Sequence, residues 1–194
     1  MKTSRANVES NRERLLATAS EQVRKHGIDG VKVADLMREV GLTHGGFTTY
    51  FTSKEDLVAQ ACAATVQRQA ERLQRIAETG DAATERAGFF ERYLSRKNRD
   101  QPDQACLFPA LASEMQRQPP SVREIYTDGL KSYVAGLRVL LGGNEAEAMA
   151  VMSSLVGAMV LARAVDDPDF SDRILEAVRD DLTRDHVVEV SAPG

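Results

Sequence analysis

An all-α fold is what this sequence predicts, and three observations carry the prediction. Ala, Leu, Glu, Arg and Gln are plentiful, while aromatic residues make up only 5% and tryptophan is absent, a bias that favours helix over strand. Apolar residues return every three or four positions in one segment after another. Gly and Pro punctuate those segments, and no run alternates as a half-buried strand would.

Taken in order, the first helix is expected at Asn11–His26. Ser10 and Glu13 have the S-x-x-E spacing of a capping box, Leu15, Leu16, Ala19 and Val23 form its buried stripe, and Gly27 ends it. A second helix fits Val33–Val40, with Val33, Leu36, Met37 and Val40 inward and Gly41 as a left-handed stop. Thr43 can cap a short third helix running to about Phe51. Ser53 opens a fourth, with Glu55 and Asp56 in the first turn, where the helix dipole favours acids. That helix runs without Gly or Pro to about Glu78. Helices follow at Ala82–Arg96 and, after a polar loop, at Cys106–Arg117, Ser121–Leu141, Glu145–Val165 and Ser171–His186. Pro119-Pro120, Gly142-Gly143 and Asp166-Asp167-Pro168 separate them, and 187–194 reads as a loose tail.

Charge narrows the function. A net charge of −4 is not that of a protein coated all over with a nucleic-acid-binding surface. Residues 1–54, however, hold nine Lys/Arg against six Asp/Glu, an excess of three, which leaves −7 for residues 55–194. A locally basic surface on an acidic body is the implication. No window is read as long and apolar enough to span a membrane, and the N-terminus lacks the apolar core of a secretory signal. Cys62 and Cys106 make no disulfide framework, so a reduced, cytoplasmic setting is expected.

Motifs for catalysis are missing. His26, His44 and His186 lie far apart, with no H-x-x-x-H or C-x-x-C metal spacing, no G-x-S-x-G elbow and no phosphate-binding glycine loop. Asp166-Asp167 and Asp180-Asp181 read as solvated charges. The expectation is a protein that is not an enzyme and needs no cofactor or metal.

One short stretch carries the function. In GLTHGGFTTYFTSKEDL, Gly41–Leu57, two adjacent glycines interrupt a segment that its neighbours frame as a short helix. A helix, a glycine-containing turn and a short helix form the skeleton of a helix-turn-helix, whose second helix enters the major groove. With Gly41 as the turn, Val33, Leu36, Val40, Leu42 and Phe47 lock the two helices together. His44, Gly45, Thr48, Thr49 and Tyr50 are left around the exposed side without a carboxylate, as approach to phosphates requires. Gly45 and Gly46 let backbone come close to DNA, Thr48 and Thr49 offer hydroxyls and methyls to base edges, and Thr43 and Lys32 complete the expected contact set. Lys54, beside the start of the connecting helix, is the expected phosphate ligand.

The run VKVADLMREV-GLTHGGFTTYFTSKEDL, after a charged first helix, resembles the TetR/AcrR transcriptional regulators. Gly27, Asp35, Leu36, Gly41, Phe51, Lys54, Glu55 and Leu57 fall at family positions. Three departures stand out: Lys32 where the family usually has Ser or Thr, Thr48 where an aromatic is frequent, and Met37 where a smaller residue is common. The resemblance implies a helix-turn-helix DNA-binding domain, here 1–54, followed by a helical effector-binding and dimerisation domain, here 55–186. It also implies a double-stranded DNA operator, a homodimer and a small-molecule effector as partners, with no membrane.

For the C-terminal part, Phe89, Phe90, Tyr93, Phe108, Leu111, Met115, Tyr126, Leu130 and Tyr133 are the expected effector-cavity residues. Cys106 joins them as either a small buried hydrophobe or, at a helix start where the dipole favours thiolate, an electrophile or redox sensor. In Glu145–Val165 the apolar Met149, Met152, Leu155, Val156, Met159 and Val160 are the expected dimer interface, since the resemblance implies that the last two helices pair with a two-fold mate. The function that follows is a ligand-responsive repressor binding a near-palindromic operator as a dimer. A helix-turn-helix activator and a repressor sensing electrophiles through Cys106 are the alternatives.

Overall fold

Residues 5–79 and 82–187 are described by the computed structural model, and every regular element among them is helical. Helix α1 spans Arg5–Gly30 and is already helical well before Ser10, so the expected capping box at Ser10 and Glu13 lies inside the helix with both residues exposed. Its break falls where glycine was expected to stop it: Gly27 adopts φ 73, ψ 176. Helix α2 (Val33–Glu39) ends in a Schellman motif. Leu42 N–H donates to Met37 O at 2.8 Å and Gly41 N–H to Arg38 O at 3.0 Å, while Gly41 takes φ 77.

The short third helix is a 3₁₀ helix, His44–Thr49, and Thr43 precedes it in extended conformation without a side-chain capping bond. Helix α3 (Lys54–Thr79) begins as expected. Ser53 Oγ accepts from Asp56 N–H at 3.1 Å, and the Asp56 carboxylate accepts from both Thr52 N–H and Thr52 Oγ at 2.9 Å. Helix α4 (Ala82–Tyr93) is shorter than expected, because Ser95 caps a separate helix α5 (Arg96–Asp100) where a polar loop was read. A 3₁₀ turn, Pro102–Gln104, leads to α6 (Leu107–Met115) and then α7 (Pro120–Leu141).

Asn144 caps α8 (Glu145–Ala164), and Asp167 caps α9 (Pro168–His186) by accepting from Phe170 N–H at 3.0 Å. Helix α9 starts three residues earlier than expected because Pro168 opens it, its missing N–H costing nothing in a first turn. The expected tail lies outside the described residues from 188 onward.

Two compact units result, and neither follows the expected division between residues 54 and 55. One comprises residues through Gln67 together with Pro102–Gly129; the other comprises Arg68–Gln101 together with the chain from Leu130. In the first, α1 packs against α2, α6 and the Pro102–Gln104 turn. There the close approach of α7 to α3 needs a missing side chain, since a Cβ on Gly129 would sit 2.5 Å from Val66 Cγ1. In the second, α9 packs against α8 and α4. Arg99 binds Ser171 Oγ at 2.7 Å and Asp172 Oδ1 at 2.8 Å, and Arg163 binds Asn98 O at 2.7 Å, which fixes α5 against the α8–α9 corner.

Contrary to the sequence reading, one helix among the described residues is long and apolar enough to cross a membrane by length and composition, namely α8. Ala148, Val151, Met152, Leu155, Ala158, Met159 and Ala162 bury one side of it within the chain.

Candidate nucleic-acid interface

The candidate reading segment stands on a rigid base. Leu15, Ala19, Leu36, Met37, Val40, Phe51, Leu57 and Ala61 form a buried cluster, and Leu16, Val33, Leu42, Phe47 and Tyr50 pack against it. The Phe47 and Phe51 rings lie 5.8 Å apart, and the Arg12 guanidinium sits over Phe51 at 5.7 Å. Arg14 donates to Val40 O at 3.0 Å, so a side chain from α1 satisfies a carbonyl at the end of α2. The sequence correctly assigned Phe47 to the packed side.

Around this base the expected contact residues divide by exposure. Lys32, Thr43, His44, Gly45, Thr48 and Thr49 are exposed, whereas Gly46, Tyr50 and Lys54 are half-buried. Tyr50 OH accepts from Asn11 Nδ2 at 3.3 Å, so this side chain also helps to join the segment to α1. Lys54 Nζ lies 3.4 Å from Asp29 O, which places its charge beside the turn that joins α1 to α2.

Leu42–Ser53 contains no carboxylate. The acids just beyond it are engaged: hydrogen bonds from Gln60 and then Thr52 hold Asp56 below its ordinary range, and bonds from its own backbone N–H and from Ser53 lower Glu55. On α2, Asp35 is paired with Arg38, and Glu39 accepts from Gln22 at 2.7 Å.

Gly45 and Gly46 are not needed by the fold. Neither has positive φ; among the described residues that belongs to Gly27, Gly41 and Gly142. A Cβ on Gly45 would meet nothing within 4 Å, and one on Gly46 would make ordinary contacts at 3.7 Å with Thr43 Oγ1 and 3.9 Å with Met37 Cε. Each glycine nonetheless costs about 1 kcal/mol of helix propensity relative to alanine.

The expected effector residues fall into both units. Cys106, Phe108, Leu111, Met115 and Tyr126 belong to the first; Phe89, Phe90, Tyr93, Leu130 and Tyr133 belong to the second. In the first unit the Phe108 and Tyr126 rings meet edge to face at 5.3 Å, and burial, aided by nearby Cys106, pushes the Tyr126 hydroxyl up to about 12. In the second, Phe89 packs against Phe90 at 5.8 Å and Tyr93 at 5.9 Å. A surface groove in that unit is lined instead by Ala87, Glu91, Arg179, Asp180, Thr183 and Arg184.

Cys106 occupies the N-cap position of α6 and is buried. Cys62 is buried too, and desolvation pushes its thiol up to about 12 against the opposing influence of Arg24. No group of His, Cys, Asp and Glu among the described residues is arranged to hold a metal ion.

The expected dimer residues also divide. Met152, Leu155 and Met159 are 3%, 0% and 0% exposed and serve as core within the chain, which corrects their assignment to an interface. Met149 and Val160 are exposed, and Val156 is half-buried. Sequence periodicity missed Leu161, the most exposed large apolar side chain of the helix, because α8 is apolar nearly all round.

A helix-turn-helix on a buried apolar base, offering a neutral-to-basic exposed segment, defines a DNA-binding regulator. Residues 15–61 match the model of the tetR family of bacterial regulatory proteins. That match gives the chain a DNA-binding domain of the tetR type over those residues.

Solved structures agree on the fold over nearly its whole length. The reduced form of Escherichia coli NemR is similar with TM-score 0.81 and 19% identity, covering 95% of this chain and 100% of that one. A TetR-family regulator from Agrobacterium tumefaciens gives 0.79 and 20%, covering 94% and 100%. One from Legionella pneumophila gives 0.77 and 22%, covering 96% and 100%. No curated protein is similar to the chain in sequence.

Proposed function

We propose that this regulator is a cytoplasmic, ligand-responsive repressor that binds a near-palindromic operator as a homodimer and leaves it when a small-molecule effector binds. The observation that carries the DNA-reading part is the pair Gly45-Gly46: two helix-weakening residues, on an acid-free exposed segment, that the folded chain does not require. Their use lies outside the chain, where a missing side chain allows backbone N–H groups to approach phosphate or base edges. His44, Thr48 and Thr49 flank them as base-edge contacts, and Lys32, Thr43, Tyr50 and Lys54 act on the backbone.

The homodimer reading is supported by a stripe along α8. Ala146, Met149, Ala150, Ser153, Val160, Leu161 and Ala164 are exposed and recur at helical spacing. Small residues permit close helix approach, and the large apolar ones supply area to bury. A two-fold partner sets two reading segments about 34–36 Å apart, one helical turn of DNA. The effector shifts the balance of states only as far as it prefers the geometry that does not fit the operator. Cys106, Phe108, Leu111, Met115 and Tyr126 in one unit, and Phe89, Phe90, Tyr93, Leu130 and Tyr133 in the other, are each proposed as candidate effector contacts.

Selection of bound duplex from a random pool tests the reading. A two-fold-symmetric enriched motif is expected; absence of any enrichment overturns DNA reading, and an asymmetric single half-site overturns the dimer.

A further inference from the structure

Within the unit that holds the reading segment, α1 is tied to the Pro102–Met115 region at two points far apart in sequence. Arg24 Nε donates to Asp103 O at 2.7 Å, and Arg24 also donates to Ser20 Oγ, which is itself bonded to Thr65 of α3. Four residues on, Ile28 N–H donates to Glu114 Oε2 at 3.0 Å.

The second tie falls at the break in α1. Gly27 stands at φ 73, a backbone conformation that favours glycine, and a Cβ there would displace the Glu114 carboxylate from its present position. A helix break frees backbone N–H groups that need an acceptor, and a carboxylate is a strong one. The segment so held leads directly to DNA-contacting ground. Ile28 and Val31 are buried, Asp29 O meets Lys54 Nζ at 3.4 Å, and α2 begins at Val33.

We propose that Glu114 is a positioning residue for DNA binding: its carboxylate fixes the break at Gly27, which sets the direction in which the chain leaves α1 for α2 and the reading segment. Helix α6, which carries Glu114 at one end and Cys106 at the other, thereby controls DNA affinity through α1. The inference rests on the DNA-binding reading and adds to it the place where α6 acts.

Affinity for the duplex enriched by the wild-type chain, measured by fluorescence anisotropy, tests this on Glu114→Ala, Glu114→Asp and Glu114→Gln. Melting temperature and hydrogen exchange over residues 27–32 are read in parallel. Glu114→Ala lowers affinity about tenfold or more, within the range of ordinary coupling between sites. Glu114→Asp, too short by one methylene, also loses affinity, and Glu114→Gln, which keeps an acceptor oxygen, recovers part of it.

The salt dependence stays unchanged, because no phosphate contact is removed. Duplex adds protection at 27–32 in the wild type and less in Glu114→Ala. Affinity within twofold of wild type in both Glu114→Asp and Glu114→Gln, whatever happens to melting, overturns the proposal, and these two variants keep the test open if Glu114→Ala fails to fold. A wild-type chain that binds no duplex instead overturns the underlying DNA-binding reading.

Discussion

Replacing Gly45 and Gly46 by alanine separates what the fold needs from what DNA needs. A methyl group at Gly45 meets open space, and one at Gly46 sits 3.7 Å from Thr43 Oγ1, so neither substitution strains the free chain. Each removes backbone freedom from the unfolded chain, stabilising the fold by about 0.4–1 kcal/mol. For a chain of this size that raises the melting temperature by about 2–4 °C per kcal/mol. Bound to DNA, the same methyl stands where backbone must approach. Losing one hydrogen bond to a charged phosphate costs about 1.5–3 kcal/mol, or roughly tenfold to a hundredfold in affinity.

Thermal melting and anisotropy on the enriched duplex measure the two effects separately. The double substitution should melt higher and bind weaker. Unchanged affinity with raised stability would refute the close-approach argument, and a fall in both would show that the fold needs these glycines after all. Gly41→Ala supplies the contrast: at φ 77 the left-handed conformation costs a non-glycine residue about 1–2 kcal/mol, so melting falls.

Lys54→Ala should weaken binding to all duplexes alike and flatten the salt slope by about one; an unchanged slope would remove Lys54 from the phosphate contacts. Gly129→Ala puts a Cβ 2.5 Å from Val66 Cγ1, an overpacking cost of about 1–3 kcal/mol that lowers the melting temperature and that Val66→Ala should relieve. Asp56 has a lowered folded pKa, so its contribution is present above its unfolded pKa and is lost as pH falls through the folded one. Asp56→Asn should therefore reduce stability at neutral pH and narrow the gap to wild type in acid, as pH-dependent melting would show. Burial pushes Cys62 up to about 12, which leaves Cys106 as the thiol for any electrophile response. Cys106→Ser should then hold duplex under an oxidant or reactive aldehyde that releases the wild type, and release from both would end the sensor alternative.

Legibility from sequence followed the range of the forces. The order of helices was readable because each apolar stripe repeats within a few residues, and the Gly27 and Gly41 stops because left-handed backbone selects glycine locally. The 3₁₀ form of His44–Thr49 was not readable, since period and composition do not distinguish a single tight turn from an α-helical one. Helix α1 was called too short at its start because Ser10 and Glu13 match a cap in spacing while nothing in that window shows that the helix has already begun. The inward and outward sides of α8 could not be told apart, since Met149, Met152, Met159 and Val160 are equally apolar and only the partners of α8 decide which are covered.

The division into two compact units was unreadable for the same reason, and it has a consequence for function. The helix-turn-helix signature occupies 15–61, yet its unit extends through Gln67 and takes in Pro102–Gly129. The cluster that supports the reading segment uses Leu15 and Ala19 of α1, while Val23 and Ile28 are buried outside it, on a helix that packs extensively against α6 and the Pro102–Gln104 turn. No motif announces such a partnership, because Arg24 and Asp103 are 79 positions apart and Ile28 and Glu114 are 86. A DNA-binding head that completes its own core with a helix from later in the chain cannot be indifferent to that helix. Any displacement of α6 must either carry α1 with it or loosen their packing and the Ile28–Glu114 bond, and each buried apolar side chain so exposed costs about 1.5–3 kcal/mol. That is the size of an ordinary coupling between sites, so a loosened contact between α1 and α6 is expected to lower the melting temperature and, on the proposed DNA-binding reading, to weaken binding of the duplex along with the loss of the Glu114 bond.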